Sequence, residues 1–219
     1  MAEISNRAVA TAAAGAMLAV GLAFVGNADA SHQYDDEVRC RGKLIRSVQL
    51  VAGNRQSAVF RKLKPSPGNG SVSVAYGCLR SGGTITRLGL ANRVDGPKFA
   101  GRYVGFRNTI YVNESGSASG IRVVDLHSGA TTVSEPGEPG SDGDSHLAMF
   151  VLKRNGSVAW IGLPQSFDRG SVWRVDRAAA EPQRLDGGPD IDFESLRLSA
   201  DRRSLRWSND GQERTAAID

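Results

Sequence analysis

Beyond residue 31 the sequence has no stretch in which apolar residues recur at i, i+3, i+4 and i+7 over a dozen positions, so it offers nothing from which to build an amphipathic helix. Cysteine is scarce: Cys40 and Cys78 are the only two, and neither belongs to a CxxC pair or has a histidine pair nearby. A zinc ribbon or finger is thereby excluded. The three histidines, His32, His127 and His146, lie far apart, so a Ser-His-Asp triad would have to be assembled from loops. No nucleophile elbow is present either. The nearest approach, "GSASG" at 116–120, has Ala118 where serine is required and reads as a loop. Arginine outnumbers lysine 22 to 5, yet no basic block with interleaved aromatics stands out. The basic excess reads as spread along the chain, without a nucleic-acid footprint.

What is present begins with a leader. Arg7 precedes an apolar stretch, "AVATAAAGAMLAVGLAFVG", and "NADA" ending at Ala30 has the small-x-small form that signal peptidase cleaves. The stretch approaches the length of a membrane anchor, but its Ala, Gly and Thr content makes it weakly hydrophobic, and residues 1–30 read as a signal peptide. Its removal takes away Glu3, Arg7 and Asp29, leaving 26 basic and 21 acidic residues, a net charge of +5. The remaining 31–219 make one domain, secreted or held in the cell envelope, with no membrane contact expected after cleavage. In such a chain an even pair of cysteines is most simply a disulfide, and Cys40–Cys78 would restrict the unfolded state by about 4 kcal/mol.

The mature sequence is dominated by short alternating runs rich in Val, Ile, Leu, Trp and Tyr, punctuated by glycine, which is the pattern of an all-β protein. The runs fall into units of strand, tight turn, strand, loop, strand, turn, strand. The first unit is "KLIRSVQLV", "QSAVFRKL", "SVSVAYGCL", "TITRLGL". In the second, "RYVGF", an elbow "RN" and "TIYVNE" precede "IRVVDLH" and "TTVSE". The third is "LAMFVLK", "SVAWIGLP", "SVWRVDR", "QRLDG"; the fourth is truncated to "SLRLSA", "SLRWSN", "QERTAAI". A repeating four-stranded unit of this size predicts a small β-propeller-like array of about four blades of antiparallel strands. Trp160 and Trp207 then occupy equivalent second strands and pack between blades. Residues 34–41, "YDDEVRCR", would supply the missing strand of the fourth blade and close the ring; a curved, open or two-sheet structure is the alternative.

"VLKRNGSVAWIG", "SVWRVDR", "PQRLDGG" and "LRLSADRRSLRWSNDG" resemble the repeat of TolB-type β-propellers. Ser199, Ala200 and Asp201 match the elbow, Asp125 and Asp176 the strand-ending aspartate, and Arg184 and Leu185 the final short strand, over residues 102–219. The elbow proline is absent. The resemblance implies a propeller that binds other proteins or serves as a scaffold.

Two acidic clusters are the candidate sites. "PGEPGSDGDSH" carries Glu138, Asp142, Asp144 and His146 in a glycine-rich connection, where oxygen ligands at alternate positions suit calcium, although the distal glutamate of an EF-hand loop is missing. "GPDIDFESL" places Asp190, Asp192 and Glu194 at alternate positions, an acidic surface that would share one face of a strand. Solvated turns are the simpler reading of both. Three N-x-S sequons occur at Asn69, Asn113 and Asn155, and Asn155-Gly156 reads as hairpin-turn chemistry. The expected function is therefore a non-catalytic binding or scaffold module for a protein or cell-envelope partner, with no catalytic residue assigned. The alternative is a small propeller hydrolase or lyase using the acidic loops with bound calcium.

Overall fold

The computed structural model describes residues 34–68, 70–112, 116–140, 144–177 and 180–219; the leader, His32, Asn69, Asn113 and Asp142 lie outside the described residues. The compact unit Gln33–Asp219 is all β. Sheet I has five strands in chain order, β1 (Asp36–Cys40), β2 (Lys43–Gly53), β3 (Ser57–Ser66), β4 (Gly70–Leu79) and β5 (Ile85–Leu90). Sheet II holds β6 (Val94–Ala100), β7 (Tyr103–Val112), β8 (Gly116–Asp125) and β9 (Thr131–Pro136). Sheet III holds β10 (Ser145–Leu152), β11 (Val158–Pro164), β12 (Gly170–Val175) and β13 (Gln183–Gly188). Sheet IV has three strands, β14 (Arg197–Leu198), β15 (Ser204–Asn209) and β16 (Gln212–Ala217). Each sheet is an antiparallel meander, because every strand is followed by a connection too short for a crossover.

The sheets are held by one apolar core per junction. Val59, Ala75 and Leu88 of sheet I meet Val104, Phe106, Val124 and Leu126 of sheet II. Tyr103, Ile121 and Val123 meet Phe150, Val158 and Trp160 at the next junction. Ile161, Leu163 and Val172 meet Leu205, Trp207 and Ile218 at the last. A sheet with neighbours on both faces needs strands that are apolar at every position. The "VAWIGL" of β11 is such a strand: Val158 and Trp160 enter the second core while Ala159 and Ile161 enter the third. Trp160 and Trp207 thus lie on the second strands of different sheets, buried between them as the repeat implied. Asn155-Gly156 forms the β10–β11 turn, with Gly156 at φ 91°.

Three expectations are corrected. The N-terminal strand does not close a ring: β1 pairs with β2 in sheet I, and among the described residues the four sheets form no closed array. A bend explains why. Ser47 has φ 56°, and the β1–β2 register slips beside it, so the first half of β2 folds away from the second and carries β1 over the outer face of sheet I. There Val38, Cys40 and Val48 cover Ala58, Phe60 and Cys78. Second, "RN" is no elbow. Arg107 and Asn108 continue β7 without interruption, and the first strand of sheet II is β6, whose Gly96 and Pro97 lie in a bulge between Asp95 and Lys98. Third, "GSASG" opens β8 rather than forming a loop, since Gly116, Ser117, Ala118 and Ser119 pair with Val112, Tyr111, Ile110 and Thr109.

Sheet IV faces outward with polar residues. Arg197 and Arg206 both pair with Glu213, the latter at 3.2 Å.

Candidate binding rim

The meander order alternates the connections between two rims, with the β2–β3, β4–β5, β6–β7, β8–β9 and β10–β11 elbows on one of them. On the elbow rim, the β4–β5 turn donates from Thr84 N to the carbonyl of Leu126 in the β8–β9 turn at 3.1 Å. The opposite rim carries the tip of the β7/β8 ribbon, the β9–β10 and β11–β12 loops and the β13–β14 connection. The ribbon is longer than its sheet: β6 reaches only Asn108 and β9 only Gly120, whereas β7 and β8 stay paired to Val112 and Gly116. The unsupported end overhangs the junction of sheets II and III and exposes Ile110 by 47%.

Beneath it lies a cleft of about 350 Å³ lined by Arg107, Thr109, Ser117, Ser119, His146 and Phe167. The β9–β10 connection beside it is fixed by the backbone. Gly162 permits the β9–β10 connection to lie against β11, since a Cβ there would sit 1.8 Å from the carbonyl oxygen of Gly137. That same oxygen accepts the indole N–H of Trp160 at 2.8 Å. Ser119 Oγ accepts the amide of Leu147 at 2.9 Å, tying sheet II to sheet III and leaving its own proton to donate. Arg107 spans the junction from Asp95 at 3.0 Å to the carbonyl of Ala148 at 2.8 Å. Nearby, Lys98 donates to the carbonyl of Phe150 at 2.7 Å; burial, and then Arg107, hold its ammonium pKa below the usual value. On the other side of the ribbon, burial raises the Glu135 carboxyl.

Phe167 is the unusual residue of the rim. It is 53% exposed and has φ 55°, a left-handed conformation unfavourable for a bulky side chain. Its amide donates to Pro164 O at 3.1 Å, and its ring stacks on His146 with centroids 4.7 Å apart. Strain of this kind is held where surrounding structure fixes it, and it clusters at binding sites. The sequence reading missed it. The available signal was an aromatic at the centre of the polar loop "QSFDRG".

Of the calcium candidates, Asp144 is half-buried beside the start of β10 and His146 faces Phe167, while Asp142 is outside the described residues. Among the described residues no group of three His, Cys, Asp or Glu side chains is placed to hold a metal. Asp190, Asp192 and Glu194 are exposed in the β13–β14 connection, which is a turn rather than a regular strand, with only Ile191 bridging to Asn209. Asp192 Oδ1 accepts the amide of Glu194 at 3.0 Å and its carbonyl accepts Ser195 N, the bonding of a turn. Cys40 and Cys78 are disulfide-bonded, with Cα atoms 5.7 Å apart. The strand-ending Asp125 is buried and ion-paired with Arg102 at 3.1 Å, and the elbow Ser199 donates to Asp201 at 2.6 Å.

No family model and no curated protein matches the sequence. Two solved structures are similar. One is an uncharacterized protein of Listeria monocytogenes EGD-e, at 11% identity and TM-score 0.39, covering 78% of this chain and 54% of that one. The other is an endo-arabinase of Bacteroides thetaiotaomicron VPI-5482, at 11% identity and TM-score 0.32, covering 81% and 76% of the respective chains. The chain therefore spans about half the length of the Listeria protein. No helix among the described residues is long and apolar enough to cross a membrane.

Proposed function

We propose that the chain is an exported, non-catalytic β-repeat module of the propeller type, TolB-like in its repeat, that binds a protein or cell-envelope partner at the loop rim of the sheet II/III junction. The observation that carries this reading is Phe167, a half-exposed aromatic fixed in a left-handed backbone conformation and braced on His146. A large side chain immobilised in the free protein contributes binding energy without a further loss of entropy on association, which is how aromatic anchors act in interfaces. The hydroxyls of Thr109, Ser117 and Ser119 and the overhanging Ile110 supply a polar and apolar surround. The disulfide supports export, because such bonds persist in oxidising compartments. Support for the repeat comes from four meanders in chain order, each meeting the next through a continuous core.

The test is capture from native envelope fractions with wild type, Phe167→Ser and, as a control on the far face of sheet IV, Arg206→Ala. Loss of the anchor should weaken capture of the bound species by roughly 30-fold, the equivalent of about 2 kcal/mol. The control should leave it unchanged. Equal capture by Phe167→Ser and wild type would remove the rim from consideration.

A further inference from the structure

Sheet I differs from the rest of the molecule in charge. From Val38 to Val94 there are 57 consecutive residues without an aspartate or glutamate, and they carry eleven lysines and arginines. Asp35, Asp36 and Glu37 precede this run, the last two in β1, and the segment that follows it, Asp95–Asp219, reverses the balance with 18 acidic against 15 basic residues. The basic excess read as spread along the chain is in fact gathered in one sheet at one end of the series.

That sheet also carries most of the exposed aliphatic surface. Of the six large hydrophobics exposed among the described residues, Leu44, Leu50, Leu63 and Ile85 belong to it. Leu44 lies on the β1–β2 hairpin, cross-strand from Arg39, and Leu50 lies opposite Phe60 in the β2–β3 register. Ile45, Lys62, Lys64, Tyr76 and Ile85 converge on a shallow groove of about 180 Å³, floored by the stacked rings of Phe60 and Tyr76 at 5.7 Å. Of the acids flanking this run, Glu37 pairs with Arg46 at 3.0 Å, Asp36 accepts the amide of Leu50 at 2.8 Å and Asp95 pairs with Arg107 at 3.0 Å.

We propose that the outer face of sheet I is a peripheral docking surface for an anionic lipid bilayer. Cations distributed over a broad face gain about 1 kcal/mol each near such a surface, with no need for shape complementarity. Protruding leucine and isoleucine side chains between them enter the headgroup region. Other occupants fit less well. A second copy would set one cationic face against another. Protein interfaces deplete lysine and favour exposed aromatics, whereas Phe60 is only 1% exposed. A nucleic acid would use the cations and leave the aliphatic side chains of that face, Leu44, Leu50 and Ile85, idle, with no open aromatic platform for its bases; Leu63, between Lys62 and Lys64 in β3, belongs to the opposite face. The inference departs from the expectation that the mature chain meets no membrane. It depends on export only for access to an anionic leaflet, and not on the rim partner.

The experiment is co-sedimentation of the compact unit Gln33–Asp219 with vesicles of phosphatidylglycerol and phosphatidylcholine, against pure phosphatidylcholine, at low and high salt. Binding should require the anionic lipid and fall with salt. The double substitution Lys62→Gln/Lys64→Gln should lower the partition coefficient by about 30-fold. Leu44→Ser/Ile85→Ser should weaken it at unchanged charge, and Phe167→Ser should not, which separates this surface from the rim. Melting temperatures with the disulfide intact establish that each variant folds. Equal binding to neutral vesicles, or no binding to either, overturns the proposal. So does a duplex oligonucleotide that competes fully while Leu44→Ser/Ile85→Ser has no effect, since that marks a polyanion site.

Discussion

Asp186 shows how much a single carboxylate can organise in a structure built of thin sheets. It lies within β13 of sheet III, and its oxygens accept the indole N–H of Trp207 at 2.7 Å, the amide of Asn209 at 3.0 Å and the backbone N–H of Gly187 at 2.8 Å. Trp207 and Asn209 belong to β15, so this one group links sheets III and IV. Burial pushes its pKa up, but the hydrogen bonds from Trp207 and Asn209 outweigh that and hold it below its ordinary value of 3.8. A carboxylate depressed in the folded state contributes stability above its unfolded pKa and loses it as the pH falls through the folded one. The III/IV junction should therefore loosen in acid, below the ordinary carboxylate range, with the Trp207 indole proton resonance reporting it. Asp186→Asn should cost about 1–2 kcal/mol at neutral pH, the exposed part of the carboxylate limiting the effect, and should flatten the acid dependence. An unchanged acid limb in urea titrations of the variant would assign that dependence elsewhere. Trp207 was legible in the sequence as a core residue because its spacing repeats that of Trp160. Its partner was not legible, since "RLDG" and "RWSN" are far apart in the chain and only the packing of two sheets brings them together.

At the scale of an element, the β1–β2 hairpin does the most unexpected thing. Strands in a sheet are spaced by about 4.8 Å, so β1 and β4, three places apart, would stand roughly 14 Å from each other in a flat sheet. Cys40 and Cys78 have Cα atoms 5.7 Å apart, and the turn beyond Cys40 donates from Arg41 N to Leu79 O at 3.0 Å and from Gly42 N to Arg80 O at 2.8 Å. The hairpin is folded onto the sheet as a lid and pinned by the disulfide. Cys40→Ser/Cys78→Ser should lower stability by about 4 kcal/mol on the loop-entropy model for a separation of 38 residues. Amide exchange should rise first at Val38 and Ile45 and leave β11 unaffected, which distinguishes lifting of the lid from global loss. The pairing of the cysteines could be read from the sequence because there are only two. The lid could not, because it depends on the left-handed conformation of Ser47, a residue type that gives no warning of it. Sheet II shows the complementary failure. Gly96 and Pro97 make β6 look like a loop, yet proline is tolerated in an edge strand, and the long β7/β8 ribbon supplies pairing that neither half of β7 advertises alone.

For the whole molecule the decisive fact is that the sheets are joined in series. The sequence made the strands and their grouping legible because strands buried on both faces are written as unbroken apolar runs, as in "VAWIGL". It did not reveal whether the ends meet, because closure depends on small rotations between sheets that no residue pattern records. The candidate rim was half legible: His146 was singled out for its acidic neighbours, but its contact with Phe167 joins strand β10 to the β11–β12 loop. Serial arrangement has a measurable consequence, since each sheet is stabilised mainly by its immediate neighbours, as in repeat proteins. Sheet IV rests on one apolar junction, through Leu205 and Trp207, whereas sheet III rests on two. Removing a buried tryptophan side chain costs about 3–5 kcal/mol in either place. Trp207→Ala should therefore accelerate amide exchange in β15 and β16 while β3, β7 and β8 keep their protection. Trp160→Ala, which weakens the central junction, should accelerate exchange on both sides of it and lower the main melting transition. If Trp207→Ala instead lowered protection in sheet I as much as in sheet IV, the ends would be energetically coupled and the serial description would give way to a closed one.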